Sequence, residues 1–272
     1  MSNKQKVGLK RNTIDKYYTK PSVVSLCLEL IKKNIKINDN EMVIEPSAGN
    51  GSFIEGIKDI ANNYLFYDLE PENSEILKQD YLSLEISNNS NKIHIIGNPP
   101  FGRQSSLAIQ FIKKSCKFCH SLSFILPKSF KKNSKKQHFP LEYHLICEQD
   151  LPKNSFQVDG KDYDVPCVFQ IWIKKNKKRK KPKKLVPKNF KFVKKDENPD
   201  ISFRRVGGTA GNISKNILDK SIQSHYFIKF DNELTEEKFE NLKHIDFKSK
   251  DDTVGARSIS KQELIKEFNM IL

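Results

Sequence analysis

The sequence predicts an α/β fold: a mostly parallel sheet with helices on both faces, followed by a small α+β module. Short apolar runs alternate with helix-like segments through the first 175 residues, which is typical of such a sheet. The clearest strand candidates are residues 41–44, 64–67, 92–97 and 122–126. A helix is predicted over 105–118, because apolar residues recur there at helical spacing, at Leu107, Ala108, Phe111 and Ile112.

The remaining elements complete the sheet and then begin a second region. Apolar runs at 143–147 and 165–173 flank a turn containing Asp159-Gly160, and we expect them to pair antiparallel and close the sheet. Further on, the pattern predicts strands at 201–203 and 225–230, and helices near 235–242 and from about Ser260. The expected organisation is a catalytic domain over 1–175, a basic linker over 176–189 and an accessory or target-binding module over 190–272.

The charge of the chain indicates a polyanionic partner. Its 48 Lys and Arg residues exceed its 33 Asp and Glu residues by 15, and residues 174–188 hold ten basic residues and no acid. Three roles fit this run: contact with phosphates, a nuclear-import signal, or a solvated tether. Candidate nucleic-acid contacts are Lys177, Lys178, Arg179 and Lys180 in the run, and Arg204, Arg205 and Arg257 beside glycines in the last module. Surface arginines without a nucleic-acid role are an equal alternative for the last three.

Cysteine and histidine usage bears on the compartment and on metals. The five cysteines are scattered through apolar segments and read as buried thiols, and residues 1–13 lack the apolar core of a signal peptide. We therefore expect a soluble protein of a reducing, intracellular compartment, cytoplasmic or nuclear, with no membrane span. The six histidines show no ligand spacing with the cysteines, so no metal site is predicted.

A small-residue turn follows the first predicted strand and precedes a helix. It consists of Glu45, Pro46, Ser47, Ala48, Gly49, Asn50 and Gly51. Glycines there allow the backbone to approach a nucleotide closely, and the next strand ends on Asp68, where a carboxylate can accept hydrogen bonds from ribose hydroxyls. Each feature also has a plain structural reading, as an ordinary glycine turn and as a strand-end aspartate.

A second motif, Asn98-Pro99-Pro100-Phe101, follows the most apolar strand. Two prolines stiffen the backbone and remove two N–H donors, and Asn98 adds a carboxamide oxygen on a rigid mount. An exocyclic amine is a poor nucleophile because its lone pair is delocalised into the ring. Two acceptors that hold its hydrogens draw the nitrogen towards tetrahedral geometry, and Phe101 offers a flat face for a base. The motif therefore favours amine chemistry over an ordinary Pro-Pro turn.

With these motifs in this order, roughly residues 13–175 resemble the class I methyltransferase superfamily, whose sheet is Rossmann-like. Within it, the closest resemblance is to amino-methyltransferases with an Asn/Asp-Pro-Pro-Tyr/Phe signature. The resemblance implies S-adenosyl-L-methionine as cofactor. The turn 45–51 would hold its methionine part, Asp68 its ribose and Asp80 its adenine amino group, with Asn98 also in contact. The segment 17–21 resembles the family's upstream segment, and its Tyr18, Thr19 and Pro21 would close over the methionine end.

The motif order is similar to the γ arrangement of adenine-N6 DNA methyltransferases, and the Asn-Pro-Pro-Phe-Gly string also resembles that of RNA adenine-N6 methyltransferases. We therefore expect methyl transfer to N6 of adenine in DNA or RNA. Asn98 and the Pro99 carbonyl would orient the amine of an unpaired or flipped base. Two alternatives remain: methylation of a glutamine side-chain amide in a protein, and a non-catalytic nucleic-acid-binding subunit that keeps the fold. A partner subunit is compatible with either.

Overall fold

A computed structural model describes residues 17–86 and 91–272, and the chain divides into two compact units. The first comprises the described residues up to Pro127 together with Gln137–Arg179, and the second comprises Lys128–Lys136 together with Lys180–Leu272. No pattern in the sequence predicts that Lys128–Lys136 groups with the second unit. The domain boundaries at residues 175 and 190 stay a prediction. Residues 1–16, on which the expected compartment depends, lie outside the described residues.

The first unit contains ten strands and three longer helices among its described residues. The strands are β1 (Tyr18–Thr19), β2 (Met42–Glu45), β3 (Asn63–Asp68), β4 (Leu77–Lys78), β5 (Ile93–Gly97), β6 (Ser121–Pro127), β7 (Tyr143–Asp150), β8 (Phe156–Val158), β9 (Lys161–Tyr163) and β10 (Cys167–Lys174). The helices are α1 (Pro21–Asn34), α2 (Ile54–Lys58) and α3 (Ser106–Ser115).

Seven of these strands form the main sheet, in the order β4-β3-β2-β5-β6-β10-β7. Strands β4, β3, β2, β5 and β6 are mutually parallel, whereas β10 is antiparallel to both β6 and β7. The predicted antiparallel pair at the sheet edge is therefore confirmed. After β2 the chain adds β3 and β4 on one side and then crosses to β5 on the other, so the topological switch point lies between β2 and β5. Ligands of open α/β sheets bind at such a point, at the carboxyl ends of the strands.

The core explains why these segments fold as they do. Every residue of β5 and β6 is buried, as expected of central parallel strands covered on both faces. Helix α1 begins with Pro21 in its first turn, where proline costs no hydrogen bond, and buries Val23, Val24, Cys27, Leu28 and Ile31. Helix α3 buries the predicted apolar stripe, at Ala108, Phe111 and Ile112. The predicted α/β class is confirmed.

A small second sheet lies in the same unit. Strand β1 pairs antiparallel with β8, which forms a hairpin with β9 around the Asp159-Gly160 turn. The Lys20 ammonium adds an ion pair to Asp162 at 2.6 Å. The upstream segment is thus fixed to a hairpin that follows it by about 140 residues in sequence.

The second unit contains an antiparallel sheet whose strands share a core with two helices. Its strands, in the order β11-β14-β12-β13, are β11 (Phe190–Val193), β12 (Ile201–Arg204), β13 (Ile213–Ser214) and β14 (His225–Phe230). The helices are α4 (Asn133–Lys136), α5 (Glu236–Lys243) and α6 (Lys261–Phe268), and α6 starts with a capping box between Ser260 and Glu263. The core includes Phe203, Ile228, Leu242 and Phe268. This is the predicted α+β module. No helix in the described part of the chain is long and apolar enough to cross a lipid bilayer.

Candidate active site

Three neighbouring strands deliver the predicted motif residues to one edge of the sheet. Strands β2, β3 and β5 end at Glu45, Asp68 and Gly97, and β2 pairs in parallel with both of the others. The carboxyl ends of parallel strands meet at the same edge, which here is also the edge of the switch point. The glycine turn, Asp68 and Asn98 are therefore brought together as predicted.

The turn after β2 is tied to the end of β3. The Ala48 amide donates to the Tyr67 carbonyl at 2.9 Å, and the Gly49 amide donates to the Asp68 Oδ2 at 2.8 Å. Gly49 and Gly51 have φ of 57° and 87°, a region that favours glycine, and a side chain at Gly51 would come within 2.6 Å of Ile54 Cδ1. The turn therefore needs glycine, and it leaves a concave backbone at the sheet edge.

The upstream segment lies over this turn. A Cβ at Gly49 would be 3.5 Å from the Tyr18 ring, and the Tyr18 hydroxyl donates to the Glu72 Oε1 at 2.5 Å. Glu72 in turn donates its backbone amide to the Gly49 carbonyl at 3.0 Å. Pro21 is the first residue of α1. The segment therefore covers the turn from one side.

The Asn98 carboxamide is held by the same upstream segment. Its Nδ2 donates to the Tyr17 carbonyl at 3.2 Å and to the Thr19 Oγ1 at 3.3 Å. A backbone carbonyl can only accept, so Nδ2 must face Tyr17 and Oδ1 must face the other way. The Asn98 Oδ1 is buried and has no hydrogen-bond partner among the residues that the structure describes.

The residue after Asn98 supplies a second acceptor, the backbone carbonyl of Pro99. The Pro99 carbonyl accepts no hydrogen bond from the described residues, and proline at the next position supplies no N–H. The Ser47 hydroxyl donates to the Asn98 carbonyl at 3.3 Å and so links the glycine turn to the motif. Two acceptors on a stiff backbone thus stand beside the turn.

Glu45 supplies a buried acid at the same edge. Its side chain is 2% exposed, and its Oε2 has no partner among the described residues. Burial, and secondarily the charge of Asp68, raise the pKa of Glu45 well above its ordinary value. A Cβ placed on Gly97 would lie 3.1 Å from the Glu45 Cγ, so the carboxyl packs against the start of the Asn98 motif. An unpaired buried acid of this kind suits a cationic ligand group.

The other predicted cofactor residues lie around the turn. Asp68 also accepts the Glu70 amide through Oδ1 at 2.8 Å, and a carboxylate with about four acceptor positions retains capacity for a ligand. Asp80 is exposed, one residue after Gln79, whose amide donates to the Asp68 carbonyl at 2.8 Å. Pro46 is buried, and Asn50 is exposed and accepts from Ser52.

An aromatic cluster that sequence reasoning missed lies next to the motif. Tyr17 is near-parallel to Phe101 at 6.5 Å between ring centroids and to Tyr163 at 5.2 Å, and it also contacts Phe156 at 6.2 Å. Phe101 is 8% exposed, whereas Tyr163 is 38% exposed. The one available signal was a pair of aromatic residues flanking the Asp159-Gly160 turn. The accessible aromatic face belongs to the hairpin more than to Phe101.

The backbone after the motif is strained. Gln104 and Ser105 have φ of 54° and 65°, which is costly for residues other than glycine. The Phe101 carbonyl accepts from the amides of Leu107 at 3.2 Å and Ala108 at 3.3 Å. The first turn of α3 therefore holds the motif in place, at the expense of local strain.

The side chains of five of the seven predicted nucleic-acid contacts already have partners in the protein. Arg179 donates to the Tyr143 and Phe139 carbonyls and lies over the Trp172 ring at 5.1 Å, and burial lowers its pKa. Lys178 pairs with Glu142 at 3.3 Å, while Lys177 and Lys180 are exposed. In the second unit, Arg204 donates to the Val206 carbonyl and the Ser224 hydroxyl, and Arg205 donates to the Gln223 carbonyl. Arg257 donates to the Asp251 carboxylate and the Gly208 carbonyl. Their binding of nucleic acid stays a prediction.

The cysteines carry free thiols, and four of the five are buried. Burial raises the pKa of Cys27 and Cys167 far above the ordinary value. Within 17–86 and 91–272, no group of three or more His, Cys, Asp or Glu side chains is arranged to hold a metal ion.

A comparison of the sequence with protein-family models identifies the family of the chain. The EDM2 methyltransferase-like domain matches residues 37–185, which is more than half of the chain and spans the turn, Asp68 and the Asn98 motif. The chain belongs to this family. No curated protein matches the chain.

Solved structures similar to this EDM2-like chain are distant from it in sequence. A proposed RNA methyltransferase from Pyrococcus horikoshii is 16% identical, with a TM-score of 0.49 over 62% of this chain and 93% of its own. A proposed class I S-adenosylmethionine-dependent methyltransferase from Listeria monocytogenes is 15% identical, with a TM-score of 0.45 over 61% and 63%. The 23S rRNA methyltransferase ErmE is 13% identical, with a TM-score of 0.45 over 61% and 72%.

The chain therefore carries an EDM2 methyltransferase-like domain, and its main sheet has the Rossmann-like order. S-adenosyl-L-methionine is the cofactor that the resemblance implies for such a domain. The residues present fit this cofactor. Two buried oxygens without described partners, Glu45 Oε2 and Asn98 Oδ1, lie at the edge where the glycine turn exposes its backbone. An acid, a carboxamide and a strand-end aspartate provide acceptors for an ammonium group, an amine and ribose hydroxyls, respectively.

Proposed function

We propose that the chain transfers a methyl group from S-adenosyl-L-methionine to the exocyclic N6 amine of adenine in DNA or RNA. The observation that carries this proposal is the fixed direction of the Asn98 carboxamide. Its Nδ2 is committed to Tyr17 and Thr19, and its Oδ1 is buried without a described partner beside the Pro99 carbonyl. A buried acceptor without a partner is costly, so the arrangement is best explained by a ligand that donates to it.

The two acceptors act on an amine with two hydrogens. Asn98 Oδ1 and the Pro99 carbonyl each accept one N–H, which draws the amine nitrogen out of conjugation and aims its lone pair. The cofactor supplies an electrophilic methyl group on a sulfonium. Because Asn98 is anchored through Nδ2, its oxygen keeps its position while the charge on the nitrogen changes.

The remaining residues hold the two reactants. We assign Glu45 to the ammonium group of the cofactor, Asp68 to its ribose and Asp80 to its adenine amine, with Tyr18 closing over the turn. This assignment rests on the buried unpaired oxygen of Glu45 and on the position of Asp68 at the end of β3. Tyr163 and Tyr17 provide the aromatic surface against which the target base stacks, and Phe101 packs near-parallel to Tyr17.

The target base has to be unpaired or flipped. The N6 amine of a paired adenine donates one hydrogen to its partner base, so it cannot present both hydrogens to Asn98 and Pro99. Single-stranded substrates, or duplexes with a mismatch at the target, should therefore react faster than matched duplexes.

The deciding experiment follows tritium from labelled cofactor into matched single-stranded and duplex DNA, RNA and a protein mixture, with analysis of the products as nucleosides and amino acids. We expect the label in N6-methylated adenosine or deoxyadenosine. Label in cytosine N4 or in glutamine would overturn the assignment to adenine but would still demonstrate methyltransferase activity. The relative rates on DNA and RNA identify the polymer.

A further inference from the structure

The net positive charge of the second unit comes almost entirely from two short segments. This unit holds 25 Lys and Arg residues against 14 Asp and Glu residues, a net charge of +11. Segments 128–136 and 180–188 each contain five lysines and no acid. Without them the second unit has 15 basic against 14 acidic residues and is almost neutral.

The first of these segments is anchored near the start of α6. The Lys132 ammonium donates to the Ser258 carbonyl at 2.6 Å and lies 3.4 Å from the Glu263 carboxylate. The segment groups with the second unit, and Phe130 within it is fully buried. Its other lysines, Lys128, Lys131, Lys135 and Lys136, are partly exposed.

The second segment is held along the same helix by main-chain contacts. Gln262 exchanges two hydrogen bonds with the backbone of Leu185, at 2.7 and 3.1 Å. Asn269 accepts from the Lys188 amide and donates to the Val186 carbonyl, both at 2.9 Å. Residues 262 and 269 are seven apart, which places them on one face of the helix. The segment is therefore an ordered strip and not a loose tether.

Helix α6 thus brings together two lysine-rich segments that are about 50 residues apart in sequence. Adjacent residues at its start contact one segment each, Glu263 the first and Gln262 the second. Lys132 pairs with Glu263 and Lys131 lies 4.0 Å from Asp252, but neither segment contains an acid of its own, so together they carry a net positive charge that attracts a polyanion. The lysines of 180–188 are exposed on a backbone without regular secondary structure, so they are accessible to a phosphodiester chain.

We propose that residues 128–136 and 180–188 form one binding surface, the α6 lysine surface, for the sugar-phosphate backbone of single-stranded nucleic acid. This deepens the proposed function and rests on its choice of a nucleic acid as substrate. The surface recognises the backbone and so contributes affinity more than sequence preference.

The test is fluorescence anisotropy with a labelled 20-nucleotide single strand, as RNA and as DNA, without cofactor, over a series of salt concentrations. Two variants remove charge from one segment each: Lys135→Gln with Lys136→Gln, and Lys183→Gln with Lys184→Gln. We expect each pair to weaken binding about tenfold at low salt and to reduce the salt slope by about 1.4, because each of the two lost phosphate contacts contributes about 0.7 on a single strand.

The matched control is Lys191→Gln with Lys229→Gln. These residues pair across β11 and β14 and point away from α6, because the neighbouring Phe190 packs against Phe268 of that helix. The control should bind as the wild type does. Thermal unfolding of each variant checks folding, and Lys135→Arg with Lys136→Arg should bind as tightly as the wild type.

The outcomes separate this inference from the proposed function. Wild-type binding by Lys135→Gln with Lys136→Gln, or equal loss in the control, would overturn the surface even if methyl transfer to nucleic acid is found. Equal affinity for polyglutamate of the same charge would overturn nucleic acid as the occupant. Salt-dependent binding through both segments without methyl transfer to any nucleic acid would leave the surface standing and refute the proposed substrate. Unequal affinity for RNA and DNA identifies the polymer.

Discussion

At the residue scale, the proposed catalysis depends on the direction of the Asn98 carboxamide. Because the Tyr17 carbonyl can only accept, the Asn98 oxygen has a fixed role as the acceptor that faces the site. Replacing Asn98 with alanine removes both the acceptor and the anchor. We expect kcat for methyl transfer to fall about 10²- to 10³-fold, the usual cost of removing one preorganised hydrogen-bonding group.

The control for Asn98 is aspartate, which keeps an acceptor but cannot donate to Tyr17. Asn98→Asp should retain part of the activity, and both variants should still bind cofactor in calorimetry, with the weaker affinity expected if Asn98 is one of several cofactor contacts. An Asn98→Ala enzyme with unchanged kcat would refute the assigned mechanism.

Glu45 leads to a prediction about pH. Its raised pKa means that the folded protein keeps a proton that the unfolded chain has already lost. Above the ordinary value of 4.5, the free energy of unfolding contributed by this group therefore decreases as pH rises, by up to about 1.4 kcal/mol per unit. Glu45→Gln removes this dependence. In urea titrations without cofactor, we expect the variant to gain stability relative to the wild type from pH 5 to pH 7, while its affinity for cofactor falls.

Parallel stability profiles for the two proteins would contradict the raised pKa. Asp68, whose charge faces Glu45, supplies the comparison. Asp68→Asn should lessen the pH dependence of the wild type without abolishing it, because burial is the larger cause.

At the scale of elements, the β8–β9 hairpin pairs with the upstream segment, which in turn holds Asn98 at the carboxyl edge of the main sheet. Tyr163 is partly exposed beside Tyr17, and stacking of one base is worth about 1–3 kcal/mol. Tyr163→Ala should lower kcat/KM for nucleic acid about tenfold, mainly through KM, with little change in stability. Tyr64→Ala is the matched control, since Tyr64 is equally exposed and lies on β3. Equal losses in the two variants would contradict a role in stacking.

A deeper residue of the same hairpin should behave differently. Phe156 is fully buried and pairs in register with Thr19, so Phe156→Ala should cost about 3–5 kcal/mol of stability. Because Thr19 also holds Asn98, activity should fall together with stability. Chemical denaturation and kcat measured on the same preparation check both. A stable, inactive variant would instead place Phe156 in contact with substrate.

The elements also show what the sequence could and could not predict. The strands ending at Asp68 and Gly97 were predictable, because each contains a short, mainly apolar run that ends abruptly at a polar or small residue. The contact of Tyr17 and Thr19 with Asn98 joins residues about 80 positions apart, which no local pattern encodes. The aromatic cluster was missed for the same reason: Tyr17 and Tyr163 meet only once β1 has paired with β8.

At the scale of the whole molecule, the division of the chain does not follow its linear order. The lysine-rich stretch after β6 belongs to the second unit, and Phe130 within it is fully buried. A fragment ending at residue 179 would keep this stretch and lose the rest of its unit, so Lys132 would lose its partners Ser258 and Glu263. We predict that fragment 1–179 aggregates or unfolds below the temperature at which the whole protein unfolds.

A second fragment tests the reason for this behaviour. Replacing residues 128–136 in fragment 1–179 with a Gly/Ser linker of equal length removes Phe130 and five lysines together. This version should remain monomeric, unfold cooperatively and bind S-adenosyl-L-methionine, because Glu45, Asp68 and Asn98 all lie in the first unit. It should methylate nucleic acid with a raised KM, since the α6 lysine surface is absent. Light scattering, thermal unfolding and calorimetry compare the two fragments. If both are monomeric and unfold cooperatively, residues 128–136 need no partner in the second unit. If both aggregate or unfold early, the first unit depends on the second for its stability.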